Sequence, residues 1–497
     1  MKITEKKELD NMHTTIKTIK ELKEAGYVSK SIKDELRLNL IENIKNKKVS
    51  FKGIHGYENT VIPQLERAIL SKHNINLLGL RGQAKTRLAR LMVQLLDEYI
   101  PVIEGSEIND DPLNPISAFG KEQVLKYGDE TKISWLHRDN RFYEKLATPD
   151  VTISDLIGDI DPIKAANLKL NYADERVIHY GMIPRANRCI FVINELPDLQ
   201  ARIQVALFNI LEEGDIQIRG FQLRMPLDLQ FIFTANPEDY TNRGSIVTPL
   251  KDRIGSQILT HYPENIEISK TITKQEAKLQ EERVCEIYIP EIAKDLVEQI
   301  GFEARNSEYV DNKSGISTRM SITAYENLLS TAEYRCISSG SQKTTIRFSD
   351  ILGVIPAITG KIELVYEGEQ EGAAFVAEKL IGSAAKTLFF NYFPEIKKLK
   401  HEEESDPYDA VLDWFFESGS FELMDDASED EYAETLNKVV PLDALINNYM
   451  SQLDVRDTLF VKEFILWSLV EKQKLNKQRI LKGFSFKDTF GAYLSGL

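Results

Sequence analysis

Cysteine is scarce in this chain: Cys189, Cys285 and Cys336 are the three in 497 residues. They are widely separated and form no C-x-x-C pair, which argues against a disulfide framework or structural zinc and fits a reducing compartment. The seven histidines fall in no H-E-x-x-H or similar pattern, so a metal site built from protein side chains alone is not expected. No apolar run approaches the length that crosses a bilayer, and the opening Met1-Lys2-Ile3-Thr4-Glu5-Lys6-Lys7-Glu8 is polar, without an apolar h-region. The expectation is a cytoplasmic protein with no membrane segment. No internal repeat is evident. Cations are outnumbered, 62 Lys+Arg against 77 Asp+Glu, for a formal net charge of −15. The longest charge clusters are acidic, Glu402-Glu403-Glu404-Ser405-Asp406 and Asp425-Asp426-Ala427-Ser428-Glu429-Asp430-Glu431. Such runs are solvated loops by default and a docking surface for a basic partner in the sharper reading. Phosphate neutralisation needs clustered Lys and Arg, so the balance argues against nucleic acid as a partner, leaving room for a local basic hairpin at Arg219 and Arg224.

What is present is ordinary globular composition, 42% hydrophobic and 28% charged, with length for roughly three domains. One segment is not ordinary. The apolar run Ile75, Leu77, Leu78 ends in Gly79-Leu80-Arg81-Gly82-Gln83-Ala84-Lys85-Thr86-Arg87, followed by Leu88, Leu91, Met92, Leu95 and Leu96 at helical spacing. This is strand, glycine loop, helix, with Lys-Thr at the helix start. In such a loop backbone N–H groups turn inward around phosphate oxygens, a lysine reaches the β- and γ-phosphates, and a hydroxyl ligates Mg²⁺. Ala84 departs from the G-x-x-x-x-G-K-[ST] pattern, which has glycine before the lysine, and a left-handed backbone there carries a cost for alanine. A glycine turn that merely ends a buried strand is the alternative.

Two further runs weigh against that alternative. Cys189-Ile190-Phe191-Val192-Ile193 reads as a strand buried on both faces, with Asn194-Glu195 at its carboxyl end, where open parallel sheets bind ligands. Glu195 is placed to orient and deprotonate a water attacking the γ-phosphate, and Asn194 offers a metal an oxygen without a charge. Leu229-Gln230-Phe231-Ile232-Phe233-Thr234-Ala235-Asn236-Pro237 is a second such strand, whose Asn236 can bond the γ-phosphate or the water. Arg253, in Pro249-Leu250-Lys251-Asp252-Arg253-Ile254-Gly255, and Arg319, in Ser317-Thr318-Arg319 at the start of a helix, supply cations for phosphoryl transfer.

In this order the motifs resemble those of AAA+ ATPases, and more narrowly the ATPase subunit I of magnesium chelatase and the MoxR-type chaperone ATPases. The narrower resemblance lies in Ile153-Ser154-Asp155-Leu156-Ile157-Gly158-Asp159-Ile160-Asp161, in Gly181-Met182-Ile183-Pro184-Arg185-Ala186-Asn187-Arg188, and in the stretch from Leu207 to Gly220. It covers about residues 50 to 330 and implies an α/β core, a parallel sheet flanked by helices, with a helix-2 insert (155–187, with a turn at Asn171-Tyr172-Ala173-Asp174) and a pre-sensor-1 β-hairpin turning at Gly220-Phe221. An α-helical lid and a helical C-terminal extension follow. The domains expected along the chain are 1–49 (N-terminal helical segment), 50–265 (nucleotide-binding α/β domain), 266–380 (lid) and 381–497 (helical C-terminal extension), the first and last lying outside the resemblance and read from their apolar spacing. By the same resemblance Lys85 and Thr86 are Walker A, Asn194 and Glu195 Walker B, Asn236 sensor 1, Arg253 a finger acting on the neighbouring subunit, and Arg319 sensor 2. Ile54, Gly56 and Tyr57 match the segment that covers adenine. ATP and Mg²⁺, held by Thr86 and Asn194, are the implied cofactors. The implied assembly is a homo-oligomeric ring, most often a hexamer, that remodels a separate partner carrying a von Willebrand factor A domain, with metal-cofactor insertion as one context.

Outside the resemblance, Ile32, Leu36, Leu40, Ile41 and Ile44 predict a helix capped by Ser31, packing on its own core or on a neighbouring subunit. Tyr408–Phe416 is strongly apolar, and 458–470 reads as an amphipathic helix. Two other functions stay open: a nucleotide-binding scaffold with little turnover, suggested by Ala84 and Asn194, and a nucleic-acid motor.

Overall fold

Runs rich in β-branched and aromatic residues pair into a five-stranded parallel sheet. In this computed structural model the strands are β1 (Ile75–Leu78), β2 (Phe142–Leu146), β3 (Cys189–Asn194), β4 (Leu229–Ala235) and β5 (Ser256–Leu259), in the order β5-β1-β4-β3-β2. The structure describes residues 15–170, 174–218, 224–237, 245–279, 284–396, 406–418, 420–450 and 453–488. The chain divides into two compact units, Met1–His261 and Tyr262–Leu497.

Every residue of β1, β3 and β4 is buried, which is why these strands read as largely apolar runs rather than as alternation, interrupted by the buried polar residues Asn76, Gln230 and Thr234. Successive side chains go to opposite faces. Phe191, Ile193, Phe231 and Phe233 join one core with Leu156, Ile183, Ile203 and Leu207. Ile190, Val192 and Ile232 join another with α1 (Ile32–Lys45), α2 (Val61–Leu70) and α3 (Lys85–Leu91). Of the two placements open for α1, its own core is the one observed: Ser31 accepts from the Asp34 N–H, and Ile32, Leu36 and Leu40 are buried. The periodicity after Lys85 predicts a single helix. The segment is α-helical to Leu91 and tightens into a 3-10 turn at Met92–Leu95, with Leu88, Met92, Leu95 and Leu96 still buried.

Both inserts contain antiparallel pairs. Gly158–Ile160 pairs with Ile178–Tyr180 around the helix Pro162–Leu168, and Asp215–Gln217 pairs with Arg224–Pro226 so that Ile216 faces Met225. The expected turns, at 171–173 and at Gly220-Phe221, lie outside the described residues, as does Arg219. Tyr99–Ile103 and Ile133–His137 form a further antiparallel pair in a stretch where the sequence reading assigned nothing.

In the second unit a single apolar cluster extends from Ile292 to Phe486. It gathers α5 (Glu291–Asn306), α6 (Arg319–Ser339), α7 (Ala373–Tyr392) and α8 (Val455–Glu471). The region after 381 is not helical throughout. It ends in an antiparallel sheet of order β6-β8-β7, from Ser420–Met424, Leu475–Ile480 and Gly483–Asp488. Nor is α8 amphipathic: every residue from Phe460 to Leu469 is buried. The charges this traps are satisfied. Lys462 Nζ donates to Asn437 (2.7 Å) and Asp443 (2.8 Å), and Glu463 accepts from the Phe348 N–H (2.8 Å) and the Tyr432 hydroxyl (2.6 Å). The acidic run at 425–431 is engaged within this unit rather than free: Asp425 pairs with Arg479, Asp426 with Lys482 and Glu429 with Arg335. The run at 402–405 lies outside the described residues. Among the described residues no helix is long and apolar enough to cross a membrane.

The start of α1 rests on Asp228, whose carboxylate accepts the Ile32 N–H at 2.7 Å. Burial pushes this carboxyl up to about 6. A raised carboxyl stabilises the fold most fully below its unfolded pKa of about 4, and that contribution is lost as pH rises through about 6. Asp228→Asn keeps an acceptor for Ile32 without the charge. It is therefore expected to raise the thermal midpoint at pH near 7.5, by at most about 3 kcal/mol of stability. The advantage should vanish near pH 4, as melting curves across that range will check.

Candidate functional site

The carboxyl ends of β1, β3 and β4 are level with one another: Leu78 pairs with Ala235, and Phe233 with Ile193. Polar residues that follow these strands therefore emerge side by side. Gly79 continues the ladder by donating its N–H to the Ala235 carbonyl at 3.0 Å. There is no space for a side chain at Gly79, because a Cβ would run into the Thr260 hydroxyl and the Gln83 amide oxygen. Those two groups bond each other at 2.7 Å and hold the far side of the loop.

The loop backbone is left-handed at Gly82 (φ 76°) and again at Ala84 (φ 55°, ψ 17°), with Gln83 between them. Alternation of this kind turns successive N–H groups into a concavity suited to an anion. Ala84 thus adopts the conformation that the sequence reading identified as costly for alanine, at about 1–2 kcal/mol. Lys85 is buried, and its Nζ donates to the carbonyls of Gly79 (2.5 Å) and Leu80 (2.9 Å). Arg81 is exposed, whereas Thr86 and Arg87, on the first turn of α3, are half-buried.

Ile54 and Tyr57 are buried, and Gly56 has a positive φ of 82°. The Tyr57 hydroxyl lies 3.0 Å from the Gln83 carbonyl and 2.7 Å from that of His261. Its ring meets the His261 imidazole edge-on at 4.9 Å, and that imidazole is 2.8 Å from the Thr60 hydroxyl. This segment is therefore tied directly to the phosphate loop.

Asn194 ends β3, 9% exposed. Its Oδ1 accepts from the Thr234 hydroxyl at 3.1 Å, and its Nδ2 donates to Glu144 at 2.5 Å. Glu195 is left-handed (φ 54°, ψ 52°) and its N–H donates to the Thr234 hydroxyl oxygen at 3.2 Å. Strained non-glycine backbone of this kind persists where the surroundings over-determine it, and functional sites are where it clusters. Asn236, directly after β4, is buried. One sheet edge thus brings together the loop from Gly79 to Thr86 with Asn194, Glu195 and Asn236.

Two predicted residues lie on other elements. Arg253 closes α4 (Thr248–Arg253), with Nε 2.7 Å from Glu212, Nη1 donating to the Pro249 carbonyl at 2.9 Å, and its guanidinium over the Phe208 ring. Arg319 belongs to the second unit, exposed on the first turn of α6. Sequence reasoning missed Thr234, which sits inside the quoted Thr-Ala-Asn-Pro segment, and Glu144 and Thr260, for which no motif supplied a signal.

Residues 131–254 match the model of the AAA domain, dynein-related subfamily. Over that segment the chain resembles an AAA domain. The match includes Asn194, Glu195, Asn236 and Arg253, and the loop from Gly79 to Thr86 precedes it. Solved structures similar to the chain include a protein described as an ATPase from Cytophaga hutchinsonii (19% identity, 73% of this chain and 97% of that one, TM-score 0.29). A model of the complex between subunits BchI and BchD of magnesium chelatase (18%, 65% and 98%, 0.33) is another. So is a mutant RuvB from Thermotoga maritima (12%, 93% and 94%, 0.33). At scores this low none of these likenesses bears on activity, partner or assembly.

The strain at Ala84 and the crowding at Gly79 can be measured. Ala84→Gly is expected to stabilise the protein by up to about 1 kcal/mol, the relief exceeding the entropy glycine adds to the unfolded chain. Ala84→Val should destabilise it, and Gly79→Ala should cost more than either. Chemical denaturation of the three variants gives the order.

Proposed function

We propose that this chain hydrolyses Mg·ATP in a ring of its own copies and uses the cycle to remodel a partner protein. The observation that carries the reading is the sheet edge itself. Buried Lys85, Asn194 and Asn236 converge there with Glu195 in a strained backbone, and two left-handed loop residues shape an anion cradle. The donors suit the metal as well: the Thr86 hydroxyl and the Asn194 amide oxygen are hard oxygen ligands of the kind Mg²⁺ takes. Bound between them, Mg²⁺ supplies charge neutralisation at the β- and γ-phosphates.

The side chains have distinct tasks. Lys85 exchanges its bonds to the Gly79 and Leu80 carbonyls for phosphate oxygens, and the loop N–H groups from Arg81 to Arg87 surround them. Ile54, Gly56 and Tyr57 cover the adenine. Glu195 accepts a proton from the attacking water, and Asn236 orients that water and the γ-phosphate. Arg253 acts on a neighbouring copy and leaves its pair with Glu212 to do so. Arg319 stabilises charge developing on the γ-phosphate. A hexamer, a separate partner with a von Willebrand factor A domain, and service in metal-cofactor insertion are the finer parts of the proposal, and they come from the resemblance of the motifs. The second reading, a binding scaffold, is prompted by Asn194, where an amide stands in place of a carboxylate.

Steady-state ATPase measured across protein concentration separates the two. Turnover per subunit should rise cooperatively with concentration. Glu195→Gln should lower kcat about 10²–10⁴-fold with ATP binding retained, and Arg253→Ala should lower it about 10³-fold or more. Glu212→Gln, which frees Arg253 but keeps it, should leave turnover at or above the wild-type level. Binding of ATP with wild-type turnover no higher than that of Glu195→Gln would establish the scaffold instead.

A further inference from the structure

Glu144 lies on β2, the edge strand beside β3, where the register sets Glu144 against Val192 and Leu146 against Asn194. Parallel partners share a face and residues two apart share it again, so Glu144, Val192 and Asn194 all lie on the face that packs against α3. There Glu144 Oε1 accepts from Asn194 Nδ2 at 2.5 Å, and Oε2 accepts from Arg90 at 2.6 Å. Arg90 is four residues after Thr86 on α3, on the same side of the helix and one turn further along. The carboxylate is 24% exposed.

The bonds around Asn194 all run in one direction. The Glu195 N–H donates to the Thr234 hydroxyl oxygen, that hydroxyl donates to Asn194 Oδ1, and Asn194 Nδ2 donates to Glu144. An ionised carboxylate only accepts. Turning the Asn194 amide over would press its oxygen against Glu144 and its NH₂ against the donating Thr234 hydroxyl. Glu144 therefore dictates which end of the amide faces which neighbour. The oxygen faced toward Thr234 has a second lone pair to offer, which is the one property of the usual aspartate that an asparagine can keep. Glu144 thus brings a carboxylate to this edge of the sheet, shared between Asn194 and Arg90.

We infer that Glu144 is a positioning residue for the metal site, orienting Asn194 so that its amide oxygen serves Mg²⁺ and, through Thr234, steadying Glu195. This rests on the Mg·ATP reading above and adds to it a carboxylate from a different strand. The pair Glu144–Asn194 then does the work of one acidic side chain.

The test is equilibrium binding of a fluorescent ATP analogue to the full-length protein, titrated with Mg²⁺ and repeated in EDTA. Glu144→Gln, whose amide can present either end, should raise the Mg²⁺ concentration for half-maximal effect about 10-fold or more and leave binding in EDTA unchanged. Asn194→Asp alone sets two carboxylates against each other and should do no better. Asn194→Asp combined with Glu144→Gln should restore the wild-type Mg²⁺ requirement or improve on it. That rescue is not expected of a residue that merely packs, and EDTA binding together with melting curves certifies that each variant is folded. The inference is overturned if Glu144→Gln shifts the Mg²⁺ requirement less than twofold, or if Asn194→Asp is equally good with and without Glu144→Gln. Wild-type protein whose nucleotide binding ignores Mg²⁺ would remove the Mg·ATP reading itself, and this inference with it.

Discussion

Burial of β1, β3 and β4 on both faces is the constraint from which the rest of the first unit follows. A strand covered on each side cannot carry polar side chains along its length without partners, so chemistry is pushed to the strand ends. The parallel ladder then decides which ends meet. With Leu78 opposite Ala235 and Phe233 opposite Ile193, the segments after β1, β3 and β4 leave the sheet at one level. The phosphate loop, the Asn194-Glu195 pair and Asn236 are neighbours because of that register, although more than 100 residues separate the loop from β3. Helices on both faces make the register hard to change, since a slip of one residue would send every strand side chain to the wrong core.

The same edge stores strain at two places. Ala84 and Glu195 are left-handed without being glycine, and each is held by groups with another reason to be there. The loop around Ala84 is fixed by the close approach of Gly79 to Thr260 and Gln83, by the Gly79–Ala235 ladder bond and by Tyr57 reaching the Gln83 carbonyl. Glu195 is fixed by Thr234, itself locked to Asn194 and through it to Glu144. Rigid neighbours thus bear the cost of two left-handed residues, which is how strained loop backbone keeps its geometry.

Legibility differed sharply between the units. In the first, sheet strands showed as largely apolar runs ending in polar residues, so β1, β3 and β4 could be named residue by residue, and the loop and strand ends resembled known motifs. In the second, α8 reads as amphipathic but is buried all round from Phe460 to Leu469, with Lys462 paired to Asp443 and Glu463 hydrogen-bonded to the Phe348 N–H and the Tyr432 hydroxyl. β7 alternates polar and charged residues between Leu475 and Ile480 and resembles a loop until β8 pairs with it. The acidic run at 425–431 looks solvated in the sequence, yet its carboxylates answer Arg335, Arg479 and Lys482. Local pattern reports local preference, and each of these features is settled by a partner elsewhere in the chain.

By itself the sequence determined the class of the core and the polar residues that end its strands, Asn194-Glu195 and Asn236, and it singled out the loop from Gly79 to Thr86, because those depend on residue type and spacing within a few positions. Only the tertiary structure decided that Ala84 takes the conformation alanine resists, that Arg253 is paired with Glu212 within the same chain, and that Glu144 holds the amide of Asn194 fifty residues away. Those are matters of direction and contact, and side chains distant in sequence acquire them only when strand register and two-sided packing bring them to the same face.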